Sequence, residues 1–281
     1  MTRTHEEAVL AYFRAKADAY DRVDEQVYWR LSDSLLWDAL ETWVLPALPE
    51  AFSFLDAGGG TGRWTDRLAR ARADAQGALL DISAEMTRHA RAKTRAGAYA
   101  DRVDVVEGPI ERADELLDGR RFELIFNFHN VLGFVADPAV ALASLARRLA
   151  PGGLLVTLAP SAYHAAYFAL GAGRLEDAES ALERSRGRFT EDMPYLSLFT
   201  PASLTSLYEA CGLLVERVTG FPTLVYPAIA ETRIEGSTSA LVDLLGDADA
   251  FARVFALERA AMARGDIAGR GNNLLAIGRL P

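Results

Sequence analysis

Phe54-Leu55-Asp56-Ala57-Gly58-Gly59-Gly60-Thr61-Gly62 is the stretch that decides how this chain is read. An apolar run enters an acid. Glycines 58, 60 and 62 follow it, and a helix-forming sequence begins behind them. Glycine lets backbone approach a ligand with no Cβ in the way, and it tolerates positive φ. In open α/β sheets, ligands bind outside the carboxyl ends of the strands, where such a loop lies. The next strand end carries Asp81, 19 residues past Gly62, placed to accept hydrogen bonds from both hydroxyls of a ribose. Two rival readings fail on local spelling. A dinucleotide fingerprint needs glycine where Arg63 stands, and a phosphate loop needs Gly-Lys-Ser/Thr where Gly62-Arg63-Trp64 stands. A plain tight turn before a helix is the bland alternative, and the second acid at the next strand end argues against it.

Outward from this loop the pattern alternates. Strands are predicted at 52–57, 78–81, 103–107, 123–128, 154–158, 214–218 and 273–280. Helices are predicted at 61–72, at 83–95 with Ser83 as cap, at 138–149 with Pro138 in the first turn, and from Thr200-Pro201 to Ala210 with Gly212 closing it. Pro151-Gly152-Gly153 reads as a turn into the fifth strand. Strands alternating with helices imply a mainly parallel sheet covered on both faces. Residues 5–47 read as helices. Ser32-Asp33-Ser34 is taken as the cap of a run in which Leu36, Ala39, Leu40 and Trp43 share one face, ended by Pro46 and Pro49. The expected organisation is an N-terminal helical cap (1–50), a ligand-binding core (51–160), a helical lid insertion (161–199), core continuation (200–220), a second insertion (221–270) read as a lid or dimer element, and a last core strand (271–281).

Composition narrows the partners. Half of the 281 residues are apolar and a quarter charged, with a formal net charge of -9; the sequence pI is about 5.1. An acidic surface repels phosphate backbones, so nucleic acid is not an expected partner. The arginine-rich runs at 67–72, 88–95 and 184–188 are the candidates for a basic patch and read more simply as solvated helix faces. One cysteine, Cys211, allows no disulfide framework within one chain. No leader is legible in residues 1–11, and no apolar stretch approaches the ~20 residues that span a bilayer. A cytoplasmic protein with no membrane partner is expected, and a homodimer is compatible with the second insertion.

Four segments, in order and spacing, resemble the class I S-adenosylmethionine-dependent methyltransferases. They are Leu55 to Gly62, Asp81-Ile82-Ser83 with Met86, Phe122-Glu123-Leu124-Ile125-Phe126-Asn127, and Leu149-Ala150-Pro151-Gly152-Gly153-Leu154-Leu155-Val156. The resemblance covers residues 50–160 well and the closing strands loosely. It implies an α/β, doubly wound, seven-stranded, mostly parallel sheet whose last strand is antiparallel, with N-terminal helices and helical lid insertions. It implies S-adenosyl-L-methionine as cofactor and S-adenosyl-L-homocysteine as product. Carried over residue by residue, Gly58, Gly60 and Gly62 would line the methionine moiety, with Asp56 steadying that loop. Asp81 would bind the ribose, Ile82 would pack on the adenine, and Met86 of the same motif would be a further cofactor contact. Pro109 stands where the family often has an acid for the adenine amino group, so the Ile110 backbone amide becomes the better candidate there. Asn127 would approach the methionine end through its carbonyl, and Tyr20 would close over the cofactor from the N-terminal cap.

Methyl transfer from a sulfonium requires alignment and exclusion of water, and a base only when the acceptor must lose a proton. His129, just past the fourth strand, is the candidate base, because imidazole titrates near neutrality. Asn130, Tyr163, His164 and Tyr28 are candidate substrate contacts, in an aromatic-lined cover suited to a mostly apolar small molecule. Pocket-lining is the alternative role for His129, and ordinary core packing the alternative for each aromatic, including Tyr226. His5 and His89 read as surface. No metal is expected, since no His-x-x-x-His and no carboxylate pair with metal spacing occurs. The expected activity is methylation of a small-molecule acceptor, at oxygen before nitrogen or carbon. A cyclase or decarboxylase using the same cofactor site is the rival enzyme class, and a non-catalytic cofactor-binding subunit the rival outside enzymes.

Overall fold

The computed structural model describes residues 4–225 and 240–281, so Tyr226 and residues 226–239 of the second insertion lie outside the described residues. Seven strands form one sheet: β1 Ser53–Ala57, β2 Gln76–Asp81, β3 Val103–Glu107, β4 Phe122–Asn127, β5 Leu149–Pro160, β6 Leu214–Phe221 and β7 Asn273–Arg279, in the order β3-β2-β1-β4-β5-β7-β6. The first five are parallel, and β7 runs antiparallel to both β5 and β6. This is the fold class read from the sequence. The order turns back at β1, which has β2 on one side and β4 on the other, and the glycine loop leaves from that point, where doubly wound sheets bind ligands.

Burial explains the sheet. Phe54, Leu55 and Ala57 of β1 are fully buried, as a central strand covered on both faces requires. On one face, Phe54, Phe126, Val156 and Leu275 pack with Leu31, Leu35 and Leu36 of the N-terminal region. On the other face, Leu55, Ile125 and Leu155 pack with Leu142, Leu145, Leu204 and Tyr208. Each such side chain removed from water stabilises the fold by roughly 1.5–3 kcal/mol.

The helices that frame the site are α1 His5–Lys16, α2 Val27–Ala39, α3 Arg63–Ala71, α4 Ala84–Ala96, α5 Pro138–Ala146 and α6 Ala162–Gly171. Their ends follow the expected chemistry. Ser83 accepts the Met86 N–H at the start of α4, and Asp137 caps α5 with Pro138 in its first turn. Thr200 and Ser203 form a reciprocal capping box at the helix Pro201–Ala210, and Gly212 takes φ +79° just past its end.

Three local readings change. Ser32 and Asp33 do not cap a helix: α2 begins at Val27 with Gln26 before it, and both residues lie buried in its middle. Polar residues in mid-helix imitate a cap when their partners lie elsewhere in the fold, and Asp33 has such partners. Pro151-Gly152-Gly153 lies within β5 rather than ahead of it; the helix stops at Ala146, and the register slips between Phe122 and Leu124. Residues 161–199 are not helical throughout. After α6 and a helix Leu175–Glu183 they form a short antiparallel ladder, Arg186–Gly187 on Leu196–Ser197. Among the described residues no helix is long and apolar enough to cross a membrane, and no group of three or more His, Cys, Asp or Glu could hold a metal ion.

Candidate active site

A cavity of about 340 Å³ opens above the carboxyl ends of β1, β2 and β4. Its floor is the glycine loop. Gly58 and Gly60 take φ +79° and +55°, a region that side chains with a Cβ rarely adopt. They differ in what surrounds them. A Cβ on Gly58 would strike Val131 at 2.3 Å, whereas one on Gly60 would meet nothing within 4 Å. Gly58 is therefore required by packing, and Gly60 leaves the cavity floor clear.

Asp81 is held by this loop. Its carboxylate accepts the Gly60 N–H and the Ser83 N–H, each at 2.8 Å. Burial pushes its carboxyl up, and those two N–H donors pull it partly back. Asp56 behind the glycines accepts the Thr65 hydroxyl at 2.6 Å, and burial pushes its carboxyl up to about 7. The loop is thus steadied by Thr65 at the start of α3. Ile82, Met86, Pro109 and Ile110 line the same end of the cavity.

The opposite wall comes from side chains distant in sequence. His129 follows β4 at φ +52°, and strained non-glycine residues of this kind cluster at functional sites. Its Nε2 accepts the Trp64 indole N–H at 2.7 Å and lies 3.3 Å from Asp33 Oδ1. Arg63 donates to Asp33 at 2.5 Å and also pairs with Asp24. Burial alone would push the Asp33 carboxyl up, but His129 and Arg63 together outweigh it and hold the group below the usual carboxylate range. Tyr20 closes this end, its hydroxyl pushed up to about 12 by burial against the pull of Arg63.

The cover is aromatic and comes from α1 and the turn Val131–Phe134. Phe13 meets Phe134 edge-on at 4.9 Å, Tyr12 stacks on Phe134 at 6.1 Å, and His5 Nε2 lies 2.8 Å from the Phe134 carbonyl oxygen. His5, Val9, Phe13, Phe128 and Phe134 all line the cavity. His5 is therefore part of the wall, not the surface residue expected; only the tertiary contact with Phe134 places it there. His89 is about one-third exposed and pairs with Asp18.

Of the residues singled out from sequence, Asp56, Gly58, Gly60, Asp81, Ile82, Met86, Pro109, Ile110, Tyr20 and His129 are brought to one cavity. Gly62 is the αL residue that opens α3, and the buried Asn127 amide donates to the Ala57 carbonyl at 2.8 Å, tying β4 to β1 beneath the loop. Tyr28, Asn130, Tyr163 and His164 stand outside the cavity wall. Tyr28 is buried beside Asn272. Asn130 accepts from the Asn273 amide at 2.6 Å. Tyr163 is about half exposed, and His164 is buried among Tyr167, Phe168 and Phe189. Sequence reasoning missed Arg63, Trp64, Asp33 and Phe134. Arg63 and Trp64 stood beside the glycine motif and served only to exclude other families; Asp33 was read as part of a helix cap, and nothing near it in the chain pointed to the cavity.

Residues 54–153 match the family model described as a methyltransferase domain. The chain is similar to the tRNA 5-carboxymethoxyuridine methyltransferase of Escherichia coli K12, 27% identical over 192 residues that cover 68% of this chain and 70% of that protein. In fold it resembles the complex structure of the Haloferax volcanii Trm112 methyltransferase activator and a methyltransferase, at 20% identity and TM-score 0.57, covering 96% of this chain and 97% of that one. An S-adenosylmethionine-dependent methyltransferase of Thermotoga maritima overlays at 16% identity and TM-score 0.55, covering 97% of this chain and 100% of that one.

Proposed function

We propose that the chain is a class I S-adenosylmethionine-dependent methyltransferase that methylates a small-molecule acceptor, with oxygen as the acceptor atom of first choice. The observation that carries this reading is the cavity. Phe13, Phe128, Phe134 and Val131 make the acceptor end apolar and covered, as a small ligand needs. Basic side chains of α1, α4 and the segment after β3 are matched by acids: Arg14 by Glu85, Arg88 by Asp18, Lys93 by Asp21, and Arg112 by Glu115. Exposed pairs of this kind add little stability, but each offsets a positive charge of the sort that a phosphate backbone requires.

The residues present fit the cofactor. Asp81, aimed by two backbone N–H groups, has lone pairs left for two ribose hydroxyls. The cleared floor at Gly60 accepts the methionine moiety. Ile82, Met86, Pro109 and Ile110 offer an apolar slot for adenine. When bound, S-adenosylmethionine supplies a methyl group on a sulfonium, a leaving group good enough that alignment and dryness dominate catalysis.

His129 is the proposed base, under a condition that the structure makes specific. With the Trp64 N–H donating to Nε2, the neutral ring carries its proton on Nδ1 and offers the cavity a donor. It becomes a base when Nε2–H donates instead to Asp33 Oδ1, which frees the Nδ1 lone pair. Acceptors that arrive as carboxylate, phenolate or amine need no such step. The single cysteine supports action in a reducing compartment such as the cytoplasm.

The similarity to a tRNA-modifying enzyme carries a second reading, methylation of a tRNA nucleoside. Cofactor labelled in its methyl group separates the two when offered with a panel of phenols, carboxylic acids and amines and, separately, with bulk tRNA. Label in a small product, with equimolar S-adenosylhomocysteine, is the expected result. Label confined to tRNA would overturn the small-molecule reading, and product without S-adenosylhomocysteine would point to cyclase or decarboxylase chemistry.

A further inference from the structure

Arg63 and Trp64 wall the cofactor cavity and also a second hollow of about 700 Å³ between α2 and α3. Four guanidinium groups line it: Arg30, Arg63, Arg67 and Arg70. Its carboxylates are already engaged, Asp24 and Asp33 with Arg63, and Asp66 with Arg70. Arg67 and Arg30 have no carboxylate within ion-pair distance among the described residues. Aromatic faces hold both instead. The Arg67 guanidinium carbon lies 4.6 Å from the Trp37 ring centre and 5.2 Å from that of Trp64, and Arg30 lies 5.5 Å from the ring centre of Phe251. One Arg67 N–H reaches the Asp33 carbonyl at 3.3 Å. The buried Nε of Arg63 has no hydrogen-bond partner among the described residues. With both indoles packed against Arg67, the guanidinium N–H groups that no carboxylate takes are the part able to recognise a ligand.

We propose that this hollow is a binding site for a single small oxyanion, a phosphate or carboxylate group of a small molecule, held by Arg67 and Arg30. Arg67 is half-buried and Arg30 exposed, and with no carboxylate in ion-pair contact both keep N–H donors for an oxyanion, which would gain charge-assisted hydrogen bonds from each. The same hollow displays Asp24, Asp33 and Asp66. A chain of phosphates laid across it would meet those carboxylates, whereas one oxyanion between the two free guanidinium groups would not. The α3 stripe Arg63, Arg67 and Arg70 is thus more than a solvated helix face. The site is independent of the acceptor, so it stands or falls apart from the small-molecule reading.

Trp37 and Trp64 pack against Arg67 and make tryptophan fluorescence the readout. Inorganic phosphate, titrated at constant ionic strength against chloride, should change that emission saturably in the millimolar range. Arg67→Gln should raise the midpoint at least tenfold and Arg30→Gln several-fold. Arg264→Gln, an exposed pair partner of Asp266, should leave it unchanged. Thermal melts report whether each variant is folded, and Arg30 lies on the surface, so its variant keeps the test alive if Arg67→Gln unfolds. A linear response in the wild type, or equal midpoints in wild type and Arg30→Gln, would overturn the site. A ten-nucleotide single strand that binds more tightly than phosphate and weakens steeply with salt would overturn the single-oxyanion assignment.

Discussion

Asp81 and Asp33 are carboxylates set against the same cavity, one at each end, and they are held there by different means. Asp81 takes its two hydrogen bonds from backbone N–H groups, at Gly60 in the adjoining loop and at Ser83 two residues on. Asp33 takes its partners from side chains, Arg63 after the glycine loop and His129 after β4, reached from the middle of α2. The first arrangement is written into two neighbouring strand ends. The second exists only once the N-terminal helices have docked. One end of the site should therefore respond to substitution through ligand affinity, and the other through stability.

The largest effect expected is at Gly60. Gly60→Val should remove S-adenosylhomocysteine binding below calorimetric detection, because the side chain enters the cleared floor, while the protein still melts cooperatively. Gly59→Val should do the reverse. Its Cβ would meet Leu79 and the Asp56 carboxyl at 2.6 and 2.7 Å, so the fold itself should fail. Equal effects of the two variants would erase the distinction between floor and support.

Asp81→Ala comes next. Two charge-assisted hydrogen bonds at roughly 1.5–3 kcal/mol each predict at least a hundredfold loss of cofactor affinity. Unchanged affinity would remove Asp81 from the site. Asp33→Ala should instead cost stability, about 3 kcal/mol, because it leaves Arg63 without its buried partner and only the exposed Asp24. Chemical denaturation measures that loss, and cofactor affinity should move less than tenfold. A large affinity loss with normal stability would make Asp33 a ligand contact and break the comparison.

Acid titration gives the smallest and most diagnostic effect, since Asp56 behind the glycine loop and His164 in α6, outside the cavity, are both buried and act with opposite signs. Burial lowers His164 to about 4. It stays neutral in the fold while the unfolded chain takes up a proton below about 6.5, so its contribution is present above pH 6.5 and is lost on acidification towards pH 4. At about 1.36 kcal/mol per pH unit, that window is worth up to about 3 kcal/mol. Asp56 is raised to about 7, so its contribution is present at acid pH and is lost as pH rises through 7. His164→Phe should flatten the loss of stability between pH 6.5 and 4, and Asp56→Asn should steepen it. Melting curves across that range decide, and identical slopes in all three proteins would assign the acid response to other groups.

What the sequence determined by itself is the part of this protein built from local chemistry. Glycines that need positive φ, an acid at the next strand end, a serine cap and alternating apolar runs each act over a few residues. They therefore placed β1, β2, α4 and the Asp81 end of the cavity before any fold was known. The same locality explains the errors. Ser32 and Asp33 spelled a cap because a buried polar residue and a helix cap look alike until its partners are seen. Tyr28, Asn130, Tyr163 and His164 looked like pocket residues because strand ends and aromatic runs do not say which way a side chain turns. Only the tertiary structure decided that His5 reaches Phe134, that Trp64 and Asp33 share one nitrogen of His129, and that Arg67 packs against two indoles. Those contacts join residues from separate elements, and their energy appears only when apolar burial has brought the elements together. A carboxylate that meets its arginine across the docked α2–α3 contact leaves no periodic trace in the chain that makes it.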